Sequence, residues 1–573
     1  MSEALQPFPH LFPDIEDWPI YKLSEDRRRF VHEIEQFTRD RILEAPTAEV
    51  TDLLARTIYQ ERVRIKEEPW KVDPPNERLF WKKIRRKLIN HSLDKPEKVA
   101  RQNNEEILQT ILHRYAEEIV GTFSKKMFLF ARRFLTFFFN RLLSRIAKLR
   151  MFRSGRKNLS RHFQVRGEVE QVRALFRQGT VVIVPTHFSN LDSILIGYVI
   201  DAFVGLPSFS YGAGLNLYNT GYTAYFMNRL GAYRVDRRKK NPIYLETLKA
   251  MSMLSIKRGT NSLFFPGGTR SRSGALESKV KLGLLGTAVE AQRALAQDGK
   301  SDKIFVVPLI LSYPFVLEAR YLIDQHLRQM GKERYIRGRD EFYSVRRLVK
   351  FAWQILTEGN DITVSFGQPL DVLGNPVDTE GDSYDKYGNR IDVAEYFRSA
   401  SGIRQNLQRE SEYTKILAAR VVERYHKDNV VLSSHLVAFA AFEILARENR
   451  ELDIYGILRL PTDDYVFPSD LLYRVVEQLQ HTLRHMESAG QIKLAPQIDW
   501  PVEDLIRNGI SRLGTYHIHK PLKYNKQGKV VSESFKILFY YHNRLENYGL
   551  QNRIAWKEVP KDLPEVAKLA SVK

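Results

Sequence analysis

Residues Val181 to Asp192 read V-V-I-V-P-T-H-F-S-N-L-D, a β-branched run that stops at Pro185 and delivers His187, then Asp192 after four intervening residues. An imidazole takes and gives a proton near neutral pH, and a carboxylate beside it orients the ring and stabilises the cation that forms. The pair is therefore suited to general-base work. A structural reading competes with this one. Ser189 and Asp192 have the spacing of a capping box, in which Asp192 only satisfies backbone N–H groups at a helix start. Among fourteen histidines, one such pair arises by chance about as often as not, so the pair needs support from elsewhere in the chain.

Three later segments offer it. Gly231-Ala232-Tyr233-Arg234-Val235-Asp236-Arg237 runs into Arg238, Lys239 and Lys240; Phe264 to Gly274 reads F-F-P-G-G-T-R-S-R-S-G; Val306 to Leu309 reads V-V-P-L. Glycines let backbone N–H groups approach an anion, and arginine forks match phosphate oxygens. Each segment also has an ordinary reading: a solvated charge run, a surface turn and a buried strand.

The elements that must position these residues follow from apolar periodicity. Strand-like runs at Val181–Val184, Ser262–Phe265, Ile304–Leu311 and Ile362–Phe366 alternate with helical runs at Ile194–Phe203, Tyr244–Ile256 and Lys281–Ala296. This predicts an α/β class, with a mixed or largely parallel sheet flanked by helices and helical additions at both ends. Residues 1–124 read as a helical region, with helices over 26–44 and 97–123 separated by a proline-bearing connection near Pro69 to Pro75. Residues 125–165 hold an amphipathic helix rich in Phe and Arg. Residues 166–371 form the α/β unit, 372–395 a Gly/Asp/Asn-rich surface loop or linker, and 396–573 a mostly helical region with helices over 406–427, 431–448 and 469–490. The 125–152 stretch suits the headgroup region of a bilayer, with aromatics in the acyl boundary and arginines against phosphates. It equally suits a core helix whose arginines snorkel outward.

Composition narrows the partners. Lysine and arginine total 89 against 68 acids, net +21, which favours a polyanion: nucleic acid, anionic lipid or a phosphorylated substrate. The absence of cysteine excludes disulfides and a thiol nucleophile, and no G-x-S-x-G elbow offers a serine one. No signal peptide and no uncharged apolar span of bilayer length is evident. His517 and His519 could share a strand face, but no third ligand accompanies them and a metal is not expected.

Taken in order, the segments resemble the glycerophospholipid acyltransferases, a family that includes the glycerol-3-phosphate and lysophosphatidate enzymes. His187-x4-Asp192 resembles the family's first motif, Gly231 to Arg234 its second, Phe265 to Arg272 its third and Val307-Pro308 its fourth. Val364 to Leu370, V-S-F-G-Q-P-L, resembles its closing strand and turn. On the flanks the likeness is faint. Chain length and Phe539 to Leu545, F-Y-Y-H-N-R-L, favour the large glycerol-3-phosphate enzymes. The resemblance implies that 166–371 is the catalytic domain and that His187 is the general base deprotonating an acceptor hydroxyl as it attacks an acyl thioester, with Asp192 orienting it. Arg234, Arg270 and Arg272 would hold the acceptor phosphate. Gly268 and Thr269 would shape the pocket, with Ser271 and Pro308 in the substrate-binding set. Acyl-CoA or acyl-carrier protein would be co-substrate, with no cofactor and no metal. The protein would sit peripherally on the cytoplasmic side of an anionic membrane, without nucleic acid. Two residues depart from the family pattern: Phe188, where the glycerol-3-phosphate branch often has arginine, and Gly267, where the family usually has glutamate. With Gly267, either the acceptor differs, another acid substitutes, or activity is weakened. A lysophosphatidate acceptor, a basic nucleic-acid-binding protein and a catalytically silent lipid-binding relative are the alternatives.

Overall fold

The computed structural model describes residues 7–70, 73–91, 96–143, 163–218, 221–330, 362–400, 402–463 and 465–556. Its centre is a seven-stranded sheet of β1 (Phe163–Gly167), β2 (Gly179–Pro185), β3 (Ser210–Gly214), β4 (Ala232–Val235), β5 (Ser262–Leu263), β6 (Lys303–Ser312) and β7 (Ile362–Phe366), in spatial order β1-β7-β6-β2-β5-β3-β4. Every neighbouring pair is parallel except β6 with β7. The expected mixed, largely parallel sheet is therefore present, and it begins at Phe163, ahead of the expected boundary at 166.

Successive side chains of a strand point to opposite faces. In β2, Val181 and Ile183 enter one core, while Val182 and Val184 enter the other. Burial on both faces explains the unbroken apolar run. The first core is closed by the helices Ser433–Glu448, Ser469–Ser488, Val502–Arg512 and Phe535–His542. After the short helix α1 (Pro19–Glu25), the second is closed by α2 (Arg27–Leu43), α3 (Thr47–Glu67), α4 (Glu77–His91) and α5 (Glu97–Ile119), with the helices Pro242–Lys257, Leu282–Gln297 and Leu407–Lys427. Both terminal regions thus share a core with the sheet.

Helices α2 and α5 fall where periodicity put them, and α3 and α4 add two further helices on either side of the proline-bearing stretch near Pro69 to Pro75. The amphipathic stretch is α6 (Lys125–Leu143); residues 144–152 of that reading lie outside the described residues. The segment 372–395, expected on the surface, buries Val372, Leu373 and Val377 and carries a small β-pair, Ser383–Tyr384 with Arg390–Ile391. Its Asp and Asn residues mark tight turns. Asp371, Asp378 and Asp385 each accept two backbone N–H groups from the residues two and four positions on. Such side-chain-closed turns let polar sequence pack without orphaned backbone groups.

Candidate active site

The loop after β2 carries His187. Its Nδ1 lies 2.9 Å from Asp192 Oδ2, which also accepts the N–H groups of Phe188 (2.6 Å) and Ser189 (2.9 Å). The Tyr313 hydroxyl donates to the other oxygen, Oδ1. A carboxylate taking this many donors is an acceptor on every side, so Nδ1 carries the proton and Nε2 is left with its lone pair. Asp192 is fully buried, whereas the His187 ring keeps 15% of its surface. The helix starts at Asp192 itself, with Leu191 as its cap residue, so Ser189 is no N-cap. Instead the Ser189 hydroxyl donates to buried Glu318 (2.9 Å), which also accepts the Asn190 N–H. Asp192 therefore holds backbone N–H groups and orients the histidine at once.

The loop from Phe265 to Lys281 grips His187 from the other side. The Phe265 ring stacks on the imidazole with centroids 4.1 Å apart, Ser271 N–H donates to the His187 carbonyl (2.7 Å), and Glu277 Oε1 accepts the His187 N–H (3.0 Å). Burial raises the Glu277 carboxyl to about 7, against the opposing pull of the His187 N–H. Gly268, at φ 76°, lies against the Lys281 side chain, where an added Cβ would stand 2.8 Å from Nζ. Thr269 follows in the same turn. The Ser271 hydroxyl is taken up inside the loop, donating to Ala275 O and accepting from Gly274 N–H. Arg270 pairs with Glu318 at 3.1 Å. Arg272 and Arg270 are close enough to Arg237 that crowding by protein atoms and then by these two cations holds its pKa below the usual value. Arg270 and Arg272 thus lie near enough to Arg237 to repel it. Arg234, on β4, donates to Asn228 Oδ1 and lies over the Tyr218 ring. Pro308 sits inside β6 opposite Val184, its carbonyl accepting the Gly367 N–H, so it shapes the strand that carries the site.

The basic run after Arg234 is only partly a solvated face: Arg237 and Lys240 are exposed, while the two residues between them are tied inward. Lys239 is buried against Glu118 of α5 (2.5 Å) and over the rings of Tyr115 and Tyr244. Asn241 caps the helix Pro242–Lys257 and donates to Glu61 and Tyr115. Arg238 joins Asp236 and Asp73. A buried polar network therefore ties the N-terminal helices to the loop bearing Arg237.

The far C-terminal segment backs the site. Buried Arg544 donates to Leu311 O, Ser312 Oγ and Asn429 Oδ1 and stands 4.4 Å over the Phe188 ring. Gly274, at φ 92°, is pressed so closely on the Tyr540 carbonyl that a Cβ would stand 2.0 Å away, and Asn543 donates to Ser273 O. Sequence reasoning missed Tyr313, Glu318, Glu277 and Arg544. Only the F-Y-Y-H-N-R-L segment hinted at the last.

Beside the helix Asp192–Val199 lies a predominantly apolar cavity, lined among others by Phe128 and Leu135 of α6, Ile194, Tyr198, Phe209 and Leu263. Arg132 anchors α6 there through Asp201, while Phe130, Phe134 and Phe137 of α6 are 52%, 51% and 64% exposed. Among the described residues no helix is long and apolar enough to cross a membrane, and no group of three or more His, Asp or Glu could hold a metal.

Residues 162–312, which hold the Asp–His pair at the end of a parallel strand and the arginine-bearing glycine loop facing it, match the Acyltransferase family. The match spans β1 to β6, and the chain is similar to glycerophospholipid acyltransferases. Among its relatives are the glycerol-3-phosphate acyltransferases of Aeromonas hydrophila, 27% identical over 298 residues, and Pseudomonas aeruginosa, 25% identical over 268 residues. These alignments cover 52% and 47% of this chain but only 33% and 28% of those proteins. The chain thus matches about a third of the length of its curated relatives. Among solved structures, the 1-acyl-sn-glycerophosphate (LPA) acyltransferase of Thermotoga maritima is similar at 15% identity and a TM-score of 0.22, covering 52% of this chain and 93% of that one.

Proposed function

We propose that this protein transfers an acyl chain from an acyl-CoA or acyl-carrier-protein thioester to the hydroxyl of glycerol-3-phosphate. The observation that carries the reading is the His187–Asp192 pair, with Nε2 left as the free basic nitrogen of a ring held on all other sides. In this mechanism Nε2 takes the acceptor's hydroxyl proton as the oxygen attacks the thioester carbonyl. Asp192, fixed by Tyr313 and two backbone N–H groups, stabilises the imidazolium, which then protonates the departing thiolate. Arg237, Arg270 and Arg272 supply the positive charge for the acceptor's phosphate, with Arg270 also braced by Glu318. The names of the relatives support glycerol-3-phosphate as acceptor. The cavity between α6 and the helix Asp192–Val199 suits an acyl chain, and the exposed phenylalanines of α6, with Lys126 and Arg133, suit an anionic membrane surface.

The test is thioester consumption with glycerol-3-phosphate and with lysophosphatidate as acceptors, and with acyl-CoA and acyl-carrier protein as donors. Turnover with glycerol-3-phosphate is expected, and His187→Ala should lower it by at least about 10²–10⁴-fold without changing the thermal unfolding midpoint. Turnover surviving in that variant would remove His187 as the base. A preference for lysophosphatidate would move the acceptor to the second reading, which the apolar cavity beside the site favours.

A further inference from the structure

His187 is gripped through its backbone as well as its ring. Its carbonyl accepts from Ser271 N–H and its own N–H goes to the side chain of Glu277, two anchors from one loop. Glu277 is half-buried, and its Oε2 is sealed from solvent with no hydrogen-bond partner among the described residues. Its side-chain bond outside its own residue is therefore the one to His187. A polar atom buried without a partner is costly, so a side chain held this way is retained for what its other oxygen does. The space it uses exists because residue 267 has no side chain. A Cβ at Gly267 would stand 3.2 Å from both Cγ and Oε1 of Glu277, tighter than ordinary contact. Gly267 does not have the positive φ of its neighbour Gly268, so its backbone has no need of glycine.

We propose that Glu277 is a positioning residue for His187, and that Gly267 and Glu277 act as a pair in which the glycine makes room for a carboxyl delivered from further along the same loop. Of the three outcomes that Gly267 left open in the sequence, this is substitution by another acid. The carboxyl fixes the height of the His187 backbone above the loop, so that Nε2 meets the acceptor hydroxyl while Asp192 fixes the ring's rotation. The consequence for turnover rests on the acyltransferase reading above; the pairing of the two residues does not.

The experiment is a cycle of Gly267→Glu, Glu277→Ala and both together, with Glu277→Gln as the conservative variant, measured by thermal unfolding and by steady-state acyl transfer. Gly267→Glu alone should lower the unfolding midpoint through crowding, and adding Glu277→Ala should restore it. Additive effects on the midpoint would overturn the pairing whether or not any turnover is seen. In turnover, Glu277→Ala should lower kcat about 10- to 100-fold, with KM for the acceptor within about twofold, as a loosened catalytic group does. Glu277→Gln, which keeps an oxygen for the His187 N–H, should stay within about threefold of the starting protein, and the double variant should recover at least tenfold over Glu277→Ala. Full kcat in folded Glu277→Ala, or a double variant no better than it, would overturn the positioning role. Absence of turnover in the unaltered protein would instead count against the acyltransferase reading, leaving the midpoint cycle to judge the pair.

Discussion

At the scale of single residues, the site is built by saturating one carboxylate. Asp192 faces the imidazole, two amides and a phenol, and of these the phenol can be removed without touching either the backbone or the imidazole. Tyr313→Phe should therefore lower kcat about tenfold, a loss of about 1.4 kcal/mol in transition-state stabilisation, while KM for the acceptor is unchanged. Steady-state kinetics at saturating donor checks this, and an unaltered kcat would mean that the Tyr313 bond does not help hold the carboxylate. His187 and Asp192 were legible because their spacing is local. Tyr313, Glu318 and Arg544 were not, because they reach the loop across long chain separations and only the folded sheet brings them there. The two roles weighed for Asp192 proved compatible: at the first helical position its carboxylate reaches back to the loop amides and the ring together.

At the scale of elements, strands were easier to read than their surroundings. An apolar run buried on both faces leaves an unmistakable signature, and β7 falls at Ile362–Phe366 as read. The segment 372–395 was misjudged, and Lys239 shows the same physical reason at work: charged and turn-forming residues look solvent-facing in sequence but can be satisfied internally, by aspartate-closed turns in the first case and by Glu118 and two tyrosine rings in the second. The α6 helix poses the opposite question, since three phenylalanines stay outside while Arg132 is tied down. Burying each phenylalanine is worth about 1.5–3 kcal/mol. Changing Phe130, Phe134 and Phe137 together to serine should thus reduce co-sedimentation with vesicles of anionic lipid by at least about tenfold, with the unfolding midpoint unchanged. Undiminished co-sedimentation would place the membrane contact elsewhere.

At the scale of the whole molecule, the two flanking regions close the two faces of one sheet, and the C-terminal one brings a buried histidine against the site. His435 accepts from Leu432 N–H at Nδ1 and faces the Tyr313 carbonyl through Nε2. Burial, reinforced by Arg544, pushes its pKa down to about 3. A base whose folded pKa lies below its unfolded value lends stability above the unfolded pKa, near 6.5, and loses it as pH falls toward the folded one. Glu277, pushed up to about 7, acts in the other sense: its contribution is present below its unfolded value of 4.5 and is lost as pH rises through 7. His435→Gln should therefore flatten the fall in urea midpoint between pH 6.5 and 5 relative to the unaltered protein, and parallel curves would show that this histidine is not the titrating group. The contact of Arg544 with Phe188 also sets an order in time. On the ribosome the His187 loop emerges first, and its backing follows only after some tens of seconds of further synthesis at about 5–20 residues per second. Until then the loop lacks its rear wall, so a nascent chain carries the His187–Asp192 pair before the contact that backs it.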